Sequence, residues 1–281
     1  MDWIFDDFMI RAFIASCIVA ILCSTMGCVS LWHRLTPLVD TLAHAGFIAL
    51  VIRIWIPTNN AIWLIMLCTI CFSSLVSYLR FYTRNLAPEL LISLVGLPIL
   101  ATGLIIIYHT GQSASVIHQF FLGNLFSISW NELVWITLLM AVVLLLLWRY
   151  WHVWILISLQ EELAFIRHIP VRFMQWLLYN ILALSCIFSM QLVGVLLVSG
   201  LMLLPAAIAR LWSKKPSQMV YGAMFIGLFG SLLGLWASYK IDIPTNPLII
   251  IILTILFVIS AFLQIIQRYY HYKSTNFLQK P

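Results

Sequence analysis

An aspartate and a histidine four residues apart, in Val39-Asp40-Thr41-Leu42-Ala43-His44-Ala45, open a long apolar run of this chain. On a helix that spacing places both side chains on one face, about a turn apart. A carboxylate oxygen and an imidazole nitrogen so placed can share one divalent cation. Two protein ligands fall short of the four that structural zinc takes; with water in the other positions they suit an ion that must leave again. The same residues have a plainer reading, with Asp40 capping a helix start and His44 filling a core position.

What must position such a pair follows from the rest of the chain. Of its 281 residues, 63% are hydrophobic and 9% charged, and the mean hydropathy is +1.06. Soluble proteins carry about 25% charged residues, so this chain lacks the polar surface to cover a water-soluble particle. A soluble enzyme, a nucleic-acid-binding domain and a disordered protein are excluded. The composition is that of a polytopic membrane protein in a lipid bilayer. In that setting an ionisable side chain within a span costs about 2.5–3.5 kcal/mol, which makes each one a functional candidate.

Apolar runs predict an all-α fold, a polytopic transmembrane helical bundle of eight to nine spans forming a single domain over residues 1–281. The spans are expected near 8–31, 40–56, 61–79, 90–108, 132–150, 173–190, 192–210, 218–238 and 246–267. The pair 173–210 has almost no polar break and reads either as a tight helical hairpin or as a broken, re-entrant element. Twelve basic residues fall on one side of this arrangement: Arg34, Arg80, Arg84, Arg149, Arg167, Arg172, Arg210, Lys214, Lys215, Arg268, Lys273 and Lys280. Arg11, Arg53 and Lys240 fall on the other. The positive-inside rule puts the N-terminus outside and the C-terminus in the cytoplasm. The basic excess is then an orientation signal and does not point to nucleic acid. The acidic start, Met1-Asp2-Trp3-Ile4-Phe5-Asp6-Asp7, lacks the basic region of a signal peptide, so the first run is expected to remain as a span.

The connections divide by character. Ile117–Phe126 reads as a short helix on the outer surface, residues 156–172 as an amphipathic cytoplasmic stretch, and Pro205–Ser217 as a basic elbow between two spans. Gly222, Gly227, Gly230 and Gly234 crowd one span and let helix backbones approach. His33 and His168 are expected to be solvated, and His152 flanks an aromatic cluster, Trp148–Trp154, that reads as an interface belt. His109 and His118 face outside, within reach of a partner or a metal. Asp242 lies in an outer turn between prolines. The six cysteines all lie in apolar runs and form no secreted disulfide framework; Cys68-x-x-Cys71 reads as small packing side chains.

Two other function classes fit these residues less well, and of them an ATP-independent secondary metal carrier stays as an alternative. An intramembrane protease of the Glu-Glu type wants Glu-Glu-x-x-x-Arg and further histidines in spans. Here Glu161-Glu162 is followed by Arg167, one residue too far, and then by His168 and His271 outside the spans. A secondary carrier driven by protons or sodium usually carries coupling acids in midspan or two similar halves, and neither is visible.

The stretch Val193-Gly-Val-Leu-Leu-Val-Ser-Gly-Leu-Met-Leu-Leu-Pro-Ala-Ala-Ile-Ala-Arg210 closely resembles the signature of the metal-type ABC importer permeases, the membrane subunits of zinc, manganese and iron uptake systems. Asp40-Thr-Leu-Ala-His44-Ala45 is similar to that family's Asp-x-x-x-His-Ala/Ser element. Glu161-Glu-Leu-Ala164 with Ile169-Pro-Val171 resembles its cytoplasmic connection, and Ser238-Tyr-Lys-Ile-Asp-Ile-Pro244 its late outer loop. The matches run in order from about residue 8 to 262. The chain departs from the family's habits at Val39, Ser93, Asn124 and Asn246, none of which alters Asp40 or His44.

The resemblance implies an inner-membrane permease that works as a homodimer, with a separate ATP-binding subunit below it and a periplasmic metal-binding protein above. Asp40 and His44 would line the metal path by alternating access. Ala206, Arg210, Lys214 and Lys215 would belong to the segment, near 206–217, that couples to the ATPase, while His118, Asn124 and Asp242 would face the receptor. No cofactor is implied beyond the transported ion, zinc first and manganese or iron as alternatives. The chain carries no Gly-x-x-x-x-Gly-Lys-Ser/Thr motif, so ATP hydrolysis is expected on the partner and not here.

Overall fold

The computed structural model describes residues 7–42, 61–82, 88–110, 121, 123, 128–241 and 243–278. Among the described residues the regular elements are all helices: α1 (Asp7–Trp32), α2 (36–42), α3 (Ala61–Tyr82), α4 (Pro88–Thr110), α5 (Trp130–Leu159), α6 (Glu161–Ile166), α7 (Val171–Val193), α8 (Val195–Trp212), α9 (Pro216–Ile241) and α10 (Thr245–Leu278). Six are long and apolar enough to cross a membrane: α1, α5, α7, α8, α9 and α10. α3 and α4 add shorter apolar stretches, Met66–Arg80 and Ile92–Ile106. Against the eight to nine spans expected, the described residues therefore hold six spans and two shorter apolar helices. The expected span at 40–56 lies outside them beyond α2.

α1 is the hub of the bundle. Ile18, Val19, Ala20, Leu22, Cys23, Met26 and Cys28 are buried around its whole circumference, as befits a helix that is apolar on every side. The glycine face of α9 packs as its spacing predicts: Gly227 sits on Ser24 of α1, while Gly230 and Gly234 sit under Leu253 and Ile249 of α10. α5 and α10 turn large apolar side chains outward, among them Leu138, Leu145, Ile255 and Phe262. With no water at that depth, such surfaces face lipid.

The two ends of the bundle are distinct. At one end Trp154 of α5 donates from its indole to the Met174 carbonyl of α7 at 3.4 Å. Trp32 at the end of α1 meets Trp151 edge-on at 5.7 Å and donates to the Met219 sulfur of α9 at 3.2 Å. At the other end Arg11 of α1 donates to the Ile128 carbonyl at 3.0 Å, and Asn246 of α10 donates to the Val193 carbonyl. α7 therefore rises from the first end and α8 returns to it. The two form a hairpin hinged at Gly194, whose φ of +84° is open to glycine and strained for other residues. This resolves the 173–210 segment into two complete helices, and the re-entrant reading is set aside.

Two expectations about the first end are corrected. α5 does not stop near residue 150; it passes a local break at Tyr150 (φ −108°, ψ 16°) and continues to Leu159. Because successive residues turn by about 100° on a helix, the aromatic cluster splits, with Trp148 81% exposed and Trp154 2% exposed. Only part of it can serve as an interface belt. The amphipathic stretch 156–172 becomes the end of α5, the short α6, and a tight link to α7 at Ile169-Pro170.

Candidate functional site

Asp40 is placed by the way α1 ends. His33 and Arg34 close the helix, Arg34 adopting φ +55°, and the Leu35 amide bonds back to the Ser30 carbonyl at 2.8 Å while the Arg34 amide reaches Leu31 at 3.4 Å. This αL stop reverses the chain directly into α2. Leu35, Leu38, Val39 and Leu42 are then buried, a stripe at helical spacing that seats α2 in the bundle. Thr41 bonds to the Pro37 carbonyl at 2.8 Å, and its methyl fills the space above Gly96 of α4. Asp40 lies off the buried stripe and is exposed. The Val39 carbonyl accepts from the Cys186 thiol of α7 at 3.7 Å, and Asp40 is within electrostatic reach of that thiol. His44 lies outside the described residues, as do His118, Asn124 and Asp242. Among the described residues no three His, Cys, Asp or Glu side chains are grouped so as to hold a metal.

The elbow expected near 206–217 is the link between α8 and α9. Ser213 ends α8, its amide and hydroxyl both bonding to the Ala209 carbonyl at 3.0 and 2.6 Å. Pro216 opens α9, where a missing amide costs nothing. Only residues 213–215 separate the two helices. Ala206 is fully buried, packed with Cys28, Ala209, Met219 and Ala223; it belongs to the joint and presents nothing to a partner. Arg210, Lys214 and Lys215 are exposed together at the tip. Gln264 of α10 donates to the Leu211 carbonyl at 2.7 Å, and the Trp212 indole donates to Ser260. The elbow is thus tied to α1 and α10 as well as to its own helices.

Sequence reasoning misplaced one residue here and overlooked others. His33, expected to be solvated, is wedged against Trp154 and Arg80, and its Nε2 is buried. Burial pushes its imidazole down from 6.5 to about 4, the Arg80 charge acts the same way, and a hydrogen bond to the Trp154 backbone opposes them. The unfolded chain therefore takes up a proton between about pH 6.5 and 4 that the folded chain refuses, so stability is held above this window and lost as pH falls through it. We expect His33→Gln to flatten the acid limb of melting temperature against pH in detergent. An unchanged limb would show that His33 is not its source. The overlooked residues are Ser73 and Asn180, which join α3 to α7 at 2.6 Å in the bundle interior. Asn180, a lone amide in an apolar run, was the available signal.

The family described as the ABC 3 transport family matches residues 5–264. The chain belongs to the ABC 3 transport family. It is similar to the high-affinity zinc uptake system membrane protein ZnuB of Haemophilus influenzae, 24% identical over 91% of this chain and 97% of that protein. It is equally similar to the manganese import system permease protein ScaB of Streptococcus gordonii, 25% identical over 93% of each chain. Among solved structures, PsaBC from Streptococcus pneumoniae in complex with Fab superposes with a TM-score of 0.83 over 97% of both chains at 24% identity. An ABC 3 fold of this length is accordingly what the helices build.

Proposed function

We propose that this chain is the permease subunit of an ATP-driven divalent metal importer, carrying zinc inward across the inner membrane by alternating access. The observation that carries the reading is the family match over nearly the whole chain. The basic end of the bundle, with its exposed Arg210, Lys214 and Lys215, would lie in the cytoplasm by the positive-inside rule. That leaves the N-terminus outside and, with 40–56 and the two shorter helices counted beside the six long ones, gives nine spans, the upper figure expected from the sequence.

In this reading a separate ATP-binding subunit engages the elbow, a periplasmic metal-binding protein docks on the opposite end near His118, Asn124 and Asp242, and a second copy of the chain completes a homodimer. Asp40 and His44 replace part of the ion's water shell in passing. Their chemistry suits release: a carboxylate and an imidazole with open positions bind a borderline cation without caging it. A histidine favours zinc and a carboxylate tolerates manganese, so the manganese or iron importer is the second reading, supported by the manganese relative of equal identity.

The test is labelled zinc uptake into proteoliposomes holding this chain, its ATPase and its binding protein. ATP-dependent uptake that excess manganese leaves intact is expected. Uptake abolished by manganese would move the cargo to that ion. The absence of ATP-dependent uptake of either ion by the assembled complex would overturn the proposal.

A further inference from the structure

Asp40 stands between two residues that are each gripped by a different helix. On one side, the Val39 carbonyl accepts from the Cys186 thiol of α7 at 3.7 Å, and both residues are buried. On the other side, Thr41 is buried with its methyl over the bare Cα of Gly96 on α4. A Cβ at Gly96 would overlap that methyl and lie 3.0 Å from the Thr41 Cβ and 3.3 Å from its Cα. Thr41 has little freedom to turn the methyl away. Its hydroxyl is committed to the Pro37 carbonyl at 2.8 Å and the Leu38 carbonyl at 3.0 Å, and a β-branched side chain on a helix has few χ1 choices.

These two grips do something that the rest of the seating of α2 does not. Burial of Leu35, Leu38 and Leu42 holds α2 in the bundle, but hydrophobic burial is non-directional and tolerates a small slide or turn of the helix. A side chain that meets a metal ion has to stand within about 0.5 Å of its productive place. On a helix, Val39 and Thr41 are turned about 100° to either side of Asp40. The thiol bond fixes the backbone on one flank, and the close approach at Gly96 fixes it on the other. Asp40 is left exposed between them.

We propose that Cys186 and Gly96 are positioning residues for the ion path, holding the Asp40 carboxylate where a divalent cation in transit meets it. Neither touches the ion. Cys186 acts through the Val39 carbonyl, and Gly96 acts by leaving room for the Thr41 methyl. The inference deepens the transport reading and rests on Asp40 being an ion ligand.

The experiment is equilibrium dialysis of the full chain in detergent against labelled zinc, with Asp40→Ala defining the part of the binding that needs the carboxylate and thermal unfolding run alongside. Gly96→Ala is expected to weaken the Asp40-dependent binding by about tenfold. Adding Thr41→Ser to Gly96→Ala moves one methyl from α2 to α4 and keeps the hydroxyl, so it should restore the parent affinity. Cys186→Ala removes the donor without adding bulk and should weaken the same binding by about threefold, while Cys186→Ser, which keeps a donor, should not. Should Gly96→Ala fail to fold, the two Cys186 variants decide the proposal alone. Parent affinity in both Gly96→Ala and Cys186→Ala, with Asp40→Ala defective, would overturn the positioning roles and leave the transport reading standing. A lower melting temperature with unchanged zinc affinity would overturn them too, by making the contacts purely structural. Failure of Thr41→Ser to restore binding would remove Gly96. Zinc binding in Asp40→Ala equal to the parent's would overturn the ion-ligand reading itself, and this inference with it.

Discussion

Asp40→Ala is expected to lower zinc uptake by at least about tenfold while the chain remains folded and inserted. The reason lies in how α2 is seated. Leu35, Leu38, Val39 and Leu42 carry its burial, and Thr41 fits over Gly96. Asp40 stands off that stripe and is exposed, so its carboxylate contributes little packing. A carboxylate at the mouth of an apolar run is worth keeping when it meets a cation. Asp40→Asn keeps the shape and loses the charge, and should be nearly as defective. Transport would be measured at matched protein level, with melting temperature as the control for folding. Uptake at the parent rate in both variants would remove Asp40 from the ion path. A parallel loss of uptake and of melting temperature would make it structural.

The second large effect is expected at Gly27. Here α1 crosses α8 so closely that a Cβ would lie 1.8 Å from the Met202 carbonyl oxygen and 2.7 Å from its carbon. Both obstacles are backbone, so no rotamer change relieves them. Ordinary overpacking costs about 1–3 kcal/mol; Gly27→Ala should exceed that range, and Gly27→Leu should prevent the bundle from assembling. Gly222 supplies the contrast. Its added Cβ would meet the Ala209 Cβ at 3.5 Å, an ordinary contact, so Gly222→Ala should be tolerated and gain helix propensity. Gel filtration and thermal unfolding in detergent would read both. A Gly27→Ala chain that melts with the parent would show that the α1–α8 crossing opens freely.

The lower stability expected in acid has a different origin from either, because His33 must either stay neutral or leave its place beside Arg80. It concerns the connection between α1 and α2, the same link that sets the position of Asp40.

What the sequence by itself determined was whatever depends on composition and local period. A chain with 9% charged residues and repeated apolar runs has to be a membrane bundle, because no other solvent accepts that surface. The alternation of basic connections, the basic elbow at 210–215 and the glycine face of α9 were equally legible, since each is a matter of spacing along one segment. The 193–210 block and the Asp40 element were enough to point to the family. What only the tertiary structure decided depends on which segments meet. A local sequence could not reveal that His33 would be desolvated by Trp154 and Arg80, residues far along the chain. Nor could it show that Gly194 would fold 173–210 into a hairpin, or that Ala206 would be sealed in the joint while Arg210 stays outside. Gly27 passed unnoticed among small residues because its need for a bare Cα comes from Met202 on another helix. The grips on either side of Asp40 join residues from α2, α4 and α7 that only packing brings together, since burial and contact are set by neighbours in space and not by neighbours in sequence.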